Sequence, residues 1–187
     1  MREDILLAQL LGTSDDAQAP RAATLFIMQF LLRDRVKHFQ STDEFFPAWQ
    51  LTTAPVHLVD ETIRNVHQLL ETNGKPLPVK EVLEQLRKTS FGTVHQYQLT
   101  DEAVLSYIGV STIIAKNPYE EYGLAGWGTI VPRRMSDKIY LVLKKAGKPL
   151  HFNDITQLIN ETKFDHRVAY PPTVHNELIL NDRYELV

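Results

Sequence analysis

Four residues that occur twice limit what this chain can fold into. Gly74-Lys75-Pro76-Leu77 recurs as Gly147-Lys148-Pro149-Leu150, 73 positions on from Gly74 to Gly147. The same offset, taken without a gap, sets Val66, Leu69 and Leu70 on Ile139, Val142 and Leu143, and Val79, Val82 and Leu86 on Phe152, Ile155 and Ile159. Further along, Thr89, Phe91, Tyr97, Thr100 and Leu105 fall on Thr162, Phe164, Tyr170, Thr173 and Leu178, and Ile113 with Ile114 falls on Leu186 with Val187. A chemically matched register of this length reads as two copies of one folding unit.

The shared segment predicts its own shape. Apolar residues at helical spacing lead to Gly74 and Gly147, which stand where a helix ends in a left-handed residue that glycine adopts cheaply. A proline two places on stops the helix. A short extended entry follows, 77–79 and 150–152, and then a second helix with Val82 and Leu86, or Ile155 and Ile159, four apart on one face. Thr100 and Thr173 are suited to cap a third helix. In the first copy two strand-like runs come next, 111–115 and 122–127, joined by Lys116-Asn117-Pro118. Three helices and a β-hairpin, in that order, predict a mainly α fold with small hairpins (α+β) built as tandem winged helix-turn-helix units.

The first 52 residues read as a degenerate further copy. A helix over 2–11 is amphipathic and ends at Gly12, a polar loop spans 14–18, and Pro20 or Arg21 opens a strongly apolar helix to Leu32. The run 44–51 resembles 121–130, with an acid, aromatics and a tryptophan in like order; the plainer alternative is that Trp49 and Trp127 are unrelated core anchors. The expected divisions are a degenerate winged-helix-like unit over 1–55, a winged-helix unit over 56–132 and a winged helix with a truncated wing over 133–187. An apolar strand end is a poor natural terminus, so the sequence reads as cut from a longer protein.

Charge separates these units. Residues 1–59 carry 5 Lys+Arg against 7 Asp+Glu, 60–132 carry 6 against 9, and 133–187 carry 9 against 7, within a net charge of −3. Electrostatic binding to nucleic acid scales with the phosphates neutralised, so only the last third has the right sign. Cysteine is absent, which fits a reducing cytoplasm and leaves neither a disulfide framework nor a thiolate metal site. No apolar run approaches membrane-spanning length, 25–32 being the greasiest, and the opening Arg2-Glu3-Asp4 is unlike a signal peptide.

Residues 138–159, with Tyr140-Leu141-Val142-Leu143-Lys144-Lys145, Gly147-Lys148-Pro149-Leu150-His151-Phe152 and Ile155, resemble the winged-helix module called HARE-HTH. That module occurs in the bacterial RNA polymerase delta subunit, in restriction endonucleases and in eukaryotic chromatin proteins. Arg2-Glu3-Asp4 before an apolar helix, Phe30-Leu31-Leu32, residues 46–49, and Tyr122-Gly123-Leu124 with Trp127 before Pro132-Arg133 are similar to a bacterial sigma-factor-like family. In it a region 4 helix-turn-helix precedes the HARE module. The resemblance implies a cytoplasmic transcription component of a bacterium, covering the part after the region 4 reader, whose motif is not visible here.

In helix-turn-helix docking the last helix before the wing enters the major groove by its first turns. In the third unit Val174 and Leu178 are expected to face the core, leaving Thr173, His175 and Asn176 outward for base edges, with Lys163, His166 and Arg167 in the preceding loop for phosphates. The plainer alternative is that these polar positions are simply solvated. The equivalent helix of the second unit opens Thr100-Asp101-Glu102, whose carboxylates suit the helix dipole and repel a phosphate backbone. That unit reads as a protein-contact or spacer element.

Catalysis is not expected. The seven histidines are scattered with no metal-ligand spacing. Paired carboxylates, such as Asp60/Glu61 and Glu120/Glu121, fall at turns or helix starts. Gly123, Gly126 and Gly128 are not followed by the helix and Lys-Ser/Thr of a phosphate loop. No cofactor, metal, membrane or small-molecule substrate is called for. The expected partners are RNA polymerase, double-stranded DNA or both; the competing class is a protein-protein adaptor built of winged helices without DNA contact. The accessory domain of a restriction enzyme is a further reading, which needs a nuclease elsewhere.

Overall fold

Glycine ends two helices where the repeat requires it. Helices α3 (Val56–Asn73) and α7 (Met135–Ala146) stop at Gly74 and Gly147, whose φ of 63° and 64° put both in the left-handed region. Each glycine N–H closes the last turn, Gly74 onto the Leu70 carbonyl at 3.0 Å and Gly147 onto that of Leu143 at 2.9 Å. Helices α4 (Val79–Lys88) and α8 (Phe152–Thr162) then begin at repeat-equivalent residues. They bury Val82 with Leu86 and Ile155 with Ile159, the four positions picked out by spacing.

A computed structural model describes residues 1–12 and 18–185, and over them the chain is α+β, mainly helical with two small antiparallel sheets. The polar loop expected at 14–18 lies outside the described residues apart from Gln18, as do Leu186 and Val187, the end of the expected third-copy strand. No strand follows α9 (Pro171–Leu180) among the described residues.

The repeat slips after the second helix. Thr100 caps α6 (Asp101–Ile108), its hydroxyl oxygen accepting from the Ala103 N–H at 3.2 Å. Thr173 does not cap α9; Tyr170 does, through its backbone, with Pro171 and Pro172 as the first helical residues. Val104 and Ile108 of α6 are buried, and so are Val174 and Leu178 of α9. From Val104 to Val174 is 70 positions, so the last helices align three residues away from the ungapped register. The difference arises in the loop. The second copy inserts a short helix, α5 (Ser90–Val94), capped by the Thr89 hydroxyl on the Gly92 N–H at 3.0 Å. Any Cβ at Gly92 would collide with the Leu86 carbonyl oxygen. Asp165 stands at the matching position of the third copy, and no helix forms there.

Contacts divide the chain into two compact units at places other than the repeat boundaries. One comprises the described residues of Met1–Gly74 with Lys80–Ile114; the other comprises Lys75–Val79 with Ala115 onward. In the first, α1 (Glu3–Leu11) and α2 (Gln18–Phe26) precede a π-helical turn (Ile27–Leu31) and an antiparallel pair, β1 (Val36–Phe39) and β2 (Ala48–Leu51), with Val36 opposite Leu51. The expected amphipathicity of α1 is not realised, because Leu7 alone is buried while Ile5 and Leu10 are exposed. The apolar helix expected to reach Leu32 instead loosens into the π turn. Phe26, Ile27, Phe30 and Leu31 stand 45–70% exposed. In the same unit α3 packs on α6 and buries Leu58, Thr62, Ile63, Val66 and Leu70.

The second unit holds β3 (Leu77–Pro78), β5 (Glu121–Leu124) and most of β4 (Ile114–Lys116), in the sheet order β3-β5-β4. These strands are displaced from the runs expected at 111–115 and 122–127, and Trp127 lies in a turn beyond β5 rather than in it. Trp49 lies in β2, where its indole N–H donates to Glu3 Oε2 at 3.2 Å, so the two tryptophans do different jobs. The turn from β4 to β5 is built on Asn117, 2% exposed. Its Oδ1 accepts from the Tyr119 and Glu121 N–H groups at 2.9 and 3.1 Å, and its Nδ2 donates to Glu121 Oε2 and the Thr129 carbonyl. The unit's core joins Ile139 and Val142 of α7, Ile155 and Ile159 of α8, Ala169, and Val174 and Leu178 of α9.

Candidate nucleic-acid interface

Helix α9 owes its outward face to the two residues it buries. Val174 is fully enclosed and Leu178 is 9% exposed, so Thr173, His175 and Asn176 are left on the solvent side of the first turns. Proline at the first two helical positions costs no hydrogen bond, because those N–H groups would lack an intrahelical partner. His175 is steadied by an edge contact with the Phe152 ring, centroids 4.9 Å apart, and His151 packs on Phe152 at 4.2 Å.

The loop 163–170 is clamped at both ends. Lys163 closes α8 with φ of 52°, a left-handed residue with its side chain exposed. Asn160 brackets Ala169, donating to its carbonyl at 3.0 Å and accepting its N–H at 2.8 Å. Between these anchors Asp165 takes two hydrogen bonds, from Lys138 Nζ at 2.7 Å and from the Arg167 N–H at 3.0 Å. Lys138 is itself 4% exposed, a buried cation on α7 satisfied by this carboxylate.

The Lys138 ammonium hydrogen-bonded to Asp165 holds that carboxyl below the usual carboxylate range, with the Arg167 N–H and the Lys138 and Arg167 charges acting the same way. The loop's one acid is therefore ionised and already engaged. Lys163, His166 and Arg167 remain exposed, and among the described residues Lys163 and Arg167 make no ion pair. The residues singled out in the sequence thus fall into two groups. Thr173, His175 and Asn176 share one helix face, His166 and Arg167 line one groove, and Lys163 does not line it. Arg133, which was not among the residues singled out, lines the same groove. The only hint of it in the sequence was the Arg133-Arg134 pair after Pro132.

The corresponding helix of the other unit has a different character. Asp101 and Glu102 are exposed on the first turn of α6, and Arg87 pairs with Asp101. Among the described residues no group of three or more His, Cys, Asp or Glu is placed to hold a metal ion, and no helix is long and apolar enough to cross a membrane. Compared with family models, curated proteins and solved structures, the chain matches none.

Proposed function

We propose that this chain is a transcription-associated DNA-binding protein of a bacterium, part of a sigma-like factor or RNA polymerase accessory protein, in which α9 reads the major groove. One observation carries the reading. Burial of Val174 and Leu178 turns a hydroxyl, an imidazole and an amide outward on one helix start, beside a loop whose only acid is spoken for by Lys138. Side chains of these types at the leading turns suit base edges, and the exposed loop cations suit phosphates.

A tandem winged-helix architecture fits the order of elements. From α3 onward a helix, a short strand, two principal helices and two further strands follow in turn, with the first strand hydrogen-bonded to the last. The same helical order returns in α7, α8 and α9, and both copies end their first helix at a left-handed glycine.

The test is filter binding of the full chain to duplex DNA at low salt. Asn176→Ala is expected to cost about 1–3 kcal/mol on a preferred site and to relax specificity there, whereas Arg167→Glu weakens binding to all sequences. Binding indifferent to both substitutions removes the reading.

A second reading, a protein-protein adaptor without DNA contact, is favoured by two features of the first unit: the acidic start of α6 and the exposed Phe26, Ile27, Phe30 and Leu31. Photo-crosslinking from position 175 separates the two, since DNA adducts support α9 as a reader and adducts with protein alone support the adaptor.

A further inference from the structure

The second unit contains a groove of about 740 Å³ between the turns around β5 and the loop before α9. Its apolar walls include Ile130, Pro132 and Phe164, and four of its lining residues are basic: Lys116, Arg133, His166 and Arg167. Two acids, Glu120 and Asp165, also line it. Both are engaged, Glu120 by Lys116 Nζ at 2.7 Å and Asp165 by the buried Lys138 at 2.7 Å. Arg133 and Arg167 make no ion pair among the described residues, and both side chains are exposed.

We propose that this groove binds the sugar-phosphate backbone of duplex DNA, with Arg133 and Arg167 as the phosphate ligands and Lys116 kept on Glu120 so that its carboxylate does not repel the phosphate. This rests on the DNA reading and adds to it a contact surface away from α9. Two exposed guanidiniums that make no ion pair among the described residues, beside walls of low polarity, suit phosphate oxygens for a physical reason. Each offers a planar fork of donors matched to an anionic oxygen pair. The internal pairing of both acids removes the repulsion that a formal count of the lining would suggest. A groove of this kind contributes affinity without sequence preference.

The experiment measures duplex affinity of the full chain across salt concentration for the wild type, Arg133→Ala, Lys116→Ala and Asn176→Ala. Arg133 and Lys116 are exposed, so their removal leaves the core intact, which far-UV circular dichroism checks. Arg133→Ala is expected to lower affinity about five- to tenfold at low salt on every sequence and to reduce the slope of log K against log salt by about 1. Asn176→Ala is expected to leave that slope unchanged. If Asn176→Ala weakens binding while Arg133→Ala and Lys116→Ala retain the wild-type affinity and slope, the groove is overturned and the α9 reading stands. If Arg133→Ala reduces the slope and Asn176→Ala changes nothing on any sequence, the groove stands and α9 is not the reader. A wild-type chain that fails to bind duplex overturns both.

Discussion

Gly74 and Gly147 hold nearly the same left-handed backbone, and no atom lies within 4 Å of where a Cβ would sit on either. An alanine at either site therefore pays only for its conformation, about 1 kcal/mol, without a steric collision. Gly74→Ala and Gly147→Ala should lower stability by equal amounts in urea titrations, with asparagine milder than alanine at both. Gly92→Ala should cost more than either, because the obstacle there is the Leu86 backbone. At Lys138 and Asp165 the asymmetry of burial decides the outcome. Asp165→Asn strands a buried ammonium and is expected to destabilise by about 1–2 kcal/mol, less than for a wholly buried pair because the carboxylate is exposed on one side. Lys138→Met removes the buried charge itself and should be close to neutral. Since the folded carboxyl titrates below its unfolded value, this stabilisation is complete above about pH 4 and is lost as pH falls through the folded value. The wild type and Asp165→Asn should accordingly converge in acid unfolding curves.

Helices with a strong apolar period were legible from the residues alone. The ends of α3 and α7 and the starts of α4 and α8 were marked by glycine and proline, whose backbone limits act locally. The core faces of α8 and α9 were legible for the same reason, and with them the outward set Thr173, His175 and Asn176. What could not be read were effects that depend on distant partners. The three-residue offset between α6 and α9 goes with a loop that forms α5 in one case and no helix in the other, and α9 is capped at Tyr170 rather than Thr173. The groove residue Arg133 was marked in one dimension only by its pairing with Arg134, since its groove neighbours come from two other stretches. Among the first elements, the apolar helix expected to reach Leu32 gives way to a π turn after Phe26, and its apolar side chains stay exposed, because hydrophobicity says nothing about whether a surface exists to cover them. Ile139→Ala and Ile155→Ala should each cost about 2–4 kcal/mol by thermal unfolding, as both lie at the centre of the α7, α8 and α9 core. Leu31→Ser, at a 70% exposed site, should change stability by less than about 0.5 kcal/mol while reducing any self-association seen by sedimentation.

For the molecule as a whole, a net charge of −3 offers no general attraction to DNA, so the proposed binding must rest on local phosphate contacts. If on the order of four phosphates are contacted, affinity should fall about a hundredfold between 50 and 200 mM salt. A markedly flatter dependence, measured by fluorescence anisotropy, would argue for a protein partner instead.

Leu77 and Pro78 leave one unit between two of its helices to lie along β5, and the chain then returns. A polypeptide begun at Ala115 would lack that ribbon and present β5 with one flank bare, the kind of edge on which foreign strands accumulate. Attempts to produce the second unit alone should therefore supply 75–79 as a separate peptide or graft, and without it insoluble protein would report a missing neighbour rather than an unstable fold.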